Sequence, residues 1–319
     1  MLGEYIIAYD FGTTAVKAVL VDVEGQALCS YTRDYPLIQL HAGWAEQEPE
    51  VLWKAVCTST KGVMERSGIS ANSIKGIVFA APWKNIIPID KNGNILRNSI
   101  IWMDGRANEQ ASRLNDKAGF FVGTGQEYWP RLMWVKENEP EIWAEAEVIM
   151  GINTFLKWKA TGEISTDPSD DFFHAFNPRI QEYFDKVITA AGLDEDRRKF
   201  PKTKLSTEKV GETTKKAADE LGLRPGIPVF GGFGDLSAIT VNPAGTGVFI
   251  TGDVSATLAV QGNKNNSNLF GKSFESSYNN TNLGQVGGVV SFETNSNSPW
   301  QFVNLAFNYS TKNLEDYVQ

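Results

Sequence analysis

Cysteine and histidine are scarce: the 319 residues hold two of each, Cys29 and Cys57, His41 and His174. No zinc-ligand spacing can be built from them, which excludes a structural zinc site, and two thiols are too few for a disulfide scaffold. Long apolar runs are missing too, and nothing approaches the ~18 residues of a membrane span. The first ten residues lack a basic region and carry Glu4 and Asp10, so their short apolar run reads as a strand and not a signal peptide. Positive charge is in deficit, with 30 Lys and Arg against 38 Asp and Glu and a formal net charge of −8. Such a surface repels a nucleic-acid backbone overall. A small-molecule partner and a cytoplasmic location with reduced thiols are the expectations. A phosphate ligand remains compatible with this charge, because backbone N–H groups and one or two local cations suffice to bind an anion.

What is present is a globular composition, 42% hydrophobic and 21% charged, long enough for about two domains. Residues 5–9, 15–22 and 26–35 read as a meander of three strands joined by tight turns. The spacing of Val51, Leu52, Ala55, Val56 and Val63 predicts a helix from Glu48 to Arg66. Strands are expected at Ile74 to Ala80 and Ile86 to Ile89. Helices are expected at Gly105 to Lys117, Arg131 to Glu147, Thr154 to Thr161, Ile180 to Ala191 and Thr213 to Gly222, then a strand at Ile227 to Phe230. Mixed α/β architecture follows. Beyond Asp235 the texture changes to paired strands, an Asn- and Ser-rich stretch and a short helix from Trp300 to Phe307. This places a domain boundary near Asn242, giving units 1–242 and 243–319.

Two segments could carry chemistry. In Asp10-Phe11-Gly12-Thr13-Thr14-Ala15-Val16-Lys17, the glycine admits a bound group close to the backbone. The threonines offer hydroxyls and N–H groups to phosphate oxygens, Lys17 adds a cation, and Asp10 can hold magnesium through water. The plainer alternative is a polar turn with self-capping threonines. In Gly231-Gly232-Phe233-Gly234-Asp235, glycines allow a sharp turn after a strand, and Asp235 suits a general base for a hydroxyl. A simple helix N-cap is its alternative. Neither segment fits a P-loop or a dinucleotide fingerprint.

The combination of Asp10-x-Gly12-Thr13-Thr14 on an N-terminal meander with Gly232-x-Gly234-Asp235 far downstream resembles the FGGY family of carbohydrate kinases, in the actin-like ATPase superfamily. Intermediate landmarks extend the resemblance over roughly residues 4–261: Trp44-Ala45-Glu46-Gln47-Glu48-Pro49, Trp102-Met103-Asp104-Gly105-Arg106, Thr161-Gly162-Glu163 and Asp167-Pro168-Ser169-Asp170. Xylulose kinases are the most similar branch. The resemblance implies an actin-like (ribonuclease H-like) α/β fold with one complete domain, the sugar-binding one, and the start of a nucleotide-binding second. It implies ATP-dependent phosphorylation of a small sugar, most simply a pentulose such as xylulose. ATP and Mg2+ are the implied cofactors, a sugar the implied partner, with neither nucleic acid nor membrane, and a homodimer is compatible. Asp10, Gly12, Thr13, Thr14 and Lys17 would face the phosphates and Mg2+, with Asp10 the metal-holding acid. Asp235 would receive the hydroxyl proton and touch the sugar, beside Trp83, Lys84, Trp102, Asp104 and Arg106.

Four departures qualify that expectation. Xylulose kinases carry a Met-His pair where this chain has Trp83-Lys84, so a sugar acid resembling gluconate is an alternative substrate, and pairing of Lys84 with an acid such as Asp104 is another use for the cation. Asp104 and Arg106 could equally cap a helix and pair with one another. Leu236 and Asp253 stand where relatives have amide and hydroxyl residues. Finally, relatives are longer, and the adenine pocket they build lies beyond Gln319. The expectation is therefore a truncated chain with poor ATP affinity, and a non-catalytic sugar-binding protein is the alternative from a different functional class.

Overall fold

A computed structural model describes residues 3–234 and, as backbone strands, 253–269, 272–293 and 302–310. It divides into two units, Met1–Ser237 and Ala238–Gln319.

The first unit is built on a mixed sheet. Strands β1 (Tyr5–Phe11), β2 (Ala15–Asp22) and β3 (Ala27–Asp34) form the antiparallel meander read from the sequence. A two-residue strand β4 (Glu46–Gln47) leads into helix α1 (Pro49–Ser67), where Pro49 supplies the preset φ of a first helical residue and Gly68 closes the end in the left-handed conformation. Strand β5 (Ile74–Ala81) then pairs in parallel with β1, and short strands β6 (Ile87–Ile89) and β7 (Ser99–Ile100) follow.

Helices fill the middle of the chain: α2 (Asn108–Ala118), α3 (Tyr128–Asn138) and α4 (Pro140–Glu145), then strand β8 (Val148–Met150), α5 (Ile152–Thr161) and α6 (Pro178–Ala191). The single helix expected from Arg131 to Glu147 is two. Pro140 disfavours helical backbone at the residue before it, and Glu139 sits at φ −130° and ψ 55°. Strand β9 (Lys209–Glu212), helix α7 (Lys215–Leu221) and strands β10 (Pro228–Phe230) and β11 (Phe233–Gly234) complete the unit. The sheet order is β3-β2-β1-β5-β10-β9, with β11 also on β5. Alternation along β1 and β2 sends Ile7, Phe11, Val16 and Leu20 into a core with Val56 and Val63 of α1 and with Ile77 and Phe79 of β5, all wholly inaccessible. Each such side chain contributes about 1.5–3 kcal/mol.

In the second unit, strands β12 (Asp253–Leu269), β13 (Lys272–Glu293) and β14 (Phe302–Ser310) form an antiparallel sheet in that order. A helix was expected from Trp300 to Phe307; its residues 302–307 lie instead in β14, whose Phe-Val-Asn-Leu-Ala-Phe-Asn-Tyr run is rich in β-branched and aromatic residues, and 300–301 lie outside the described residues. Asp235, Leu236 and the segment 237–252, including the boundary expected near Asn242, lie outside the described residues.

Candidate functional site

Parallel pairing brings the carboxyl ends of three strands to one edge of the sheet. Asp10 at the end of β1 lies opposite Ala80 of β5, which in turn lies opposite Phe233 of β11. Edges of this kind, beyond the carboxyl ends of parallel strands, are where open α/β sheets bind ligands.

The β1–β2 turn is tied from behind. The Tyr35 hydroxyl donates to the Gly12 carbonyl at 2.5 Å, the Tyr35 N–H to the Thr14 carbonyl at 2.8 Å, and the buried Gln47 amide to the Thr13 carbonyl at 2.7 Å. With its carbonyls held inward, the turn has the Thr13 and Thr14 hydroxyls left over, and among the described residues neither has a protein partner. Asp10 and Lys17 are cross-strand neighbours, both exposed. An exposed carboxylate beside two hydroxyls is a hard-oxygen donor set, which suits Mg2+ held partly through water.

On the third strand the chain takes four steps from Val229 to Phe233 while β5 takes three from Ile77 to Ala80, so one extra residue is inserted at Gly231-Gly232. Only glycine fits there. Gly232 has φ +70° and a Cβ on it would stand 2.2 Å from the Phe79 carbonyl oxygen; at Gly231 the Leu205 carbonyl would be 2.3 Å away.

Polar side chains from α5 and the following loop hold this bulge. Lys157 donates to the Gly231 carbonyl at 2.8 Å, and Asn153 reaches the Phe79 carbonyl and Asp167 at 3.3 Å each. The Gly234 N–H donates to Ser169 Oγ at 2.6 Å, and the Ser169 hydroxyl donates to Asp167. Burial lowers the Lys157 pKa to about 8, with Asp167 and Asp170 opposing the shift. Burial, then the neighbouring Asp167, pushes the Asp170 carboxyl well above the usual range.

After β5 the chain turns through Trp83 and Lys84. Lys84 has φ +60° and donates its N–H to Asp170 Oδ1 at 2.7 Å. Its ammonium lies 2.6 Å from Glu127 Oε2 and 4.4 Å from the Trp83 ring centroid. The cation is therefore paired with Glu127, not with Asp104. Trp102, 41% exposed, stands on the neighbouring loop.

Asp104 and Arg106 are brought together away from solvent, both side chains wholly inaccessible. Asp104 accepts from the Ala45 N–H at 2.6 Å and from Arg106 through both oxygens; Arg106 also reaches Glu46 at 2.7 Å and packs 3.8 Å from the Trp44 ring centroid. Arg106 Nη1 has no hydrogen-bond partner among the described residues. Of the two expected uses, ligand contact or mutual pairing, the geometry shows the pairing, with both side chains inaccessible to solvent.

Glu127, Arg131, Asn153 and Lys157 were not singled out in the sequence. The available signal was a charge inside an apolar helical stretch, Arg131 before Leu132-Met133 and Lys157 after Phe155-Leu156.

The comparisons with known proteins agree with one another. Residues 5–241 match the FGGY family of carbohydrate kinases, N-terminal domain. A xylulose kinase of Staphylococcus epidermidis is 30% identical over 240 residues, 74% of this chain and 48% of that protein. An L-xylulose/3-keto-L-gulonate kinase of Escherichia coli is 30% identical over 244 residues, 73% of this chain and 49% of that protein. The chain spans about half the length of the curated relatives it matches. Among solved structures, a xylulose kinase from Rhodospirillum rubrum superposes with a TM-score of 0.68 at 21% identity, over 91% of this chain and 56% of that one. This likeness shows the actin-like α/β fold.

Proposed function

The chain belongs to the FGGY family of carbohydrate kinases, and from that premise we propose that it binds a small sugar, most simply a pentulose such as xylulose, and takes part in transferring a phosphoryl group from ATP to one of its hydroxyls. The observation that carries this reading is the shared edge: the Asp10 turn of β1, the Trp83-Lys84 turn of β5 and the bulge of β11 that leads into Asp235. Residues 1–242 would form the sugar-binding domain with the first phosphate loop, and 243–319 part of the nucleotide-binding domain.

Phosphoryl transfer asks chiefly for in-line positioning and for neutralisation of charge on the transferred group. Thr13, Thr14 and the Gly12 backbone would hold phosphate oxygens, with Lys17 as the nearby cation. Asp10 would hold Mg2+ through water, and the ion, when bound, supplies neutralising charge at the phosphates. Asp235 would accept the proton of the attacking hydroxyl. Trp83 and Trp102 would offer indole faces to the carbon chain.

The test is sugar-dependent release of ADP from Mg-ATP by the 319-residue chain across ketoses, polyols and sugar acids, with sugar binding followed separately by calorimetry. Asp235→Asn is expected to abolish turnover and spare sugar binding; turnover retained in that variant removes Asp235 from the base role. Sugar binding without any Mg-ATP binding would reassign the chain as a sugar-binding module.

A further inference from the structure

Among the described residues, Lys84 is the one non-glycine residue with positive φ. That conformation costs an ordinary side chain about 1–2 kcal/mol and persists only where surroundings enforce it. The surroundings here are specific. The Lys84 N–H is taken by half-buried Asp170 at 2.7 Å, and its carbonyl by Nη2 of fully buried Arg131 at 2.7 Å. The same guanidinium donates through Nη1 to the Ile101 carbonyl at 2.5 Å, next to Trp102, and through Nε to the Glu127 carbonyl at 3.2 Å. One inaccessible side chain thus gathers the three segments that carry Lys84, Trp102 and Glu127.

The result is a cation and an anion held side by side and both reaching solvent, with side-chain exposures of 16% for Lys84 and 30% for Glu127. Trp83 lies under the ammonium at 4.4 Å. A lone lysine would attract a carboxylate. This one is already neutralised at 2.6 Å, and an incoming carboxylate would meet Glu127 as a like charge. Sugar hydroxyls, in contrast, can accept from the ammonium and donate to the carboxylate at once.

Resting on the sugar-binding reading above, we infer that Lys84 and Glu127 act as a single donor–acceptor unit selecting an uncharged ketose or polyol over a sugar acid, with Arg131 as its positioning residue. Calorimetry on the full chain with D-xylulose, xylitol and D-gluconate tests it. The wild type is expected to bind a neutral sugar at least tenfold more tightly than gluconate. Glu127→Gln keeps the shape, uncovers the Lys84 charge and should swing that ratio toward gluconate by about tenfold or more. Neutral sugars bound with an unchanged ratio in Glu127→Gln would overturn the inference and leave the sugar reading standing. A wild type that binds none of the three would overturn the sugar reading, and the inference with it. Arg131→Lys keeps the charge but loses the fork, so it should blunt the effect of Glu127→Gln in a double-mutant cycle. An undiminished effect there would remove the positioning role of Arg131.

Discussion

Lys157 places an ammonium where water does not reach, against the Gly231 carbonyl and within the field of Asp167 and Asp170. Burial lowers its pKa from 10.5 to about 8. The sign of the consequence follows from proton counting. Between pH 8 and 10.5 the unfolded chain still holds the lysine proton that the folded chain has released, so stability from this group rises with pH through that window. Below it the charge is buried at its full desolvation cost. Lys157→Met orphans the Gly231 carbonyl and is expected to be less stable throughout. Its deficit relative to wild type should grow from pH 7 to 10, by at most about 1.4 kcal/mol per pH unit. Urea unfolding across that range checks it, and a constant deficit would mean that Lys157 titrates normally in the folded state.

At the scale of elements, the β10–β11 bulge depends on glycine in a way that an ordinary turn does not. Gly25 in the β2–β3 turn and Gly232 both have positive φ, +86° and +70°. A Cβ on Gly25 meets nothing within 4 Å, whereas one on Gly232 meets the Phe79 carbonyl oxygen of β5 at 2.2 Å. Gly25→Ala should therefore cost only the backbone penalty of about 1–2 kcal/mol. Gly232→Ala adds a clash with strand backbone and should cost about 2–4 kcal/mol. Urea unfolding of the two variants compares them directly; equal costs would show that the bulge relaxes without resistance. A bulge pushed off β5 would also shift the peptide of Gly234, which Ser169 holds, and sugar-dependent turnover should fall further than stability alone accounts for.

For the whole molecule, what the sequence revealed was whatever is periodic or local. The meander, α1 and the strand β5 follow from alternation, helical spacing and turn residues, and their bounds were met within a few residues, whereas the parallel pairing of β5 with β1 is seen only in the structure. The quoted landmarks also acquire physical reasons. Gln47 pins the Thr13 carbonyl, Pro49 starts α1, Gly162 ends α5, and Asp167 with Ser169 holds the bulge. Partners distant in sequence were not legible. Nothing local in Lys84 names Glu127, and Arg131 acts through the carbonyls of other segments, which no side-chain pattern records. Asp104 and Arg106 were open between ligand contact and scaffold because a charged pair two residues apart looks the same in sequence whether a ligand or a protein core covers it.

Burial favours the scaffold role, which sets what the pair should do for the fold. Asp104, Arg106, Glu46, Arg97 and Glu139 form a connected set of ion pairs along the β4–β7 ladder and the end of α3, with Arg106 packed against both Trp44 and Trp134. Removing one member of such a set leaves its partner's charge buried and uncompensated. Arg106→Ala does this to Asp104, and is expected to destabilise the first unit by about 3–5 kcal/mol. Exposed pairs would be screened by salt, but Asp104 and Arg106 are wholly inaccessible, so the loss should persist at about 0.5 M NaCl. Neutral-sugar affinity of the folded variant should stay within about twofold of wild type, because the scaffold role predicts lost stability rather than a lost contact. Urea unfolding at two salt concentrations and calorimetry with D-xylulose separate the outcomes. If Arg106→Ala is too unstable to purify, Arg106→Lys keeps the charge, loses the two-oxygen grip on Asp104, and makes the same comparison. A variant of normal stability that has lost sugar binding would return Arg106 to the ligand.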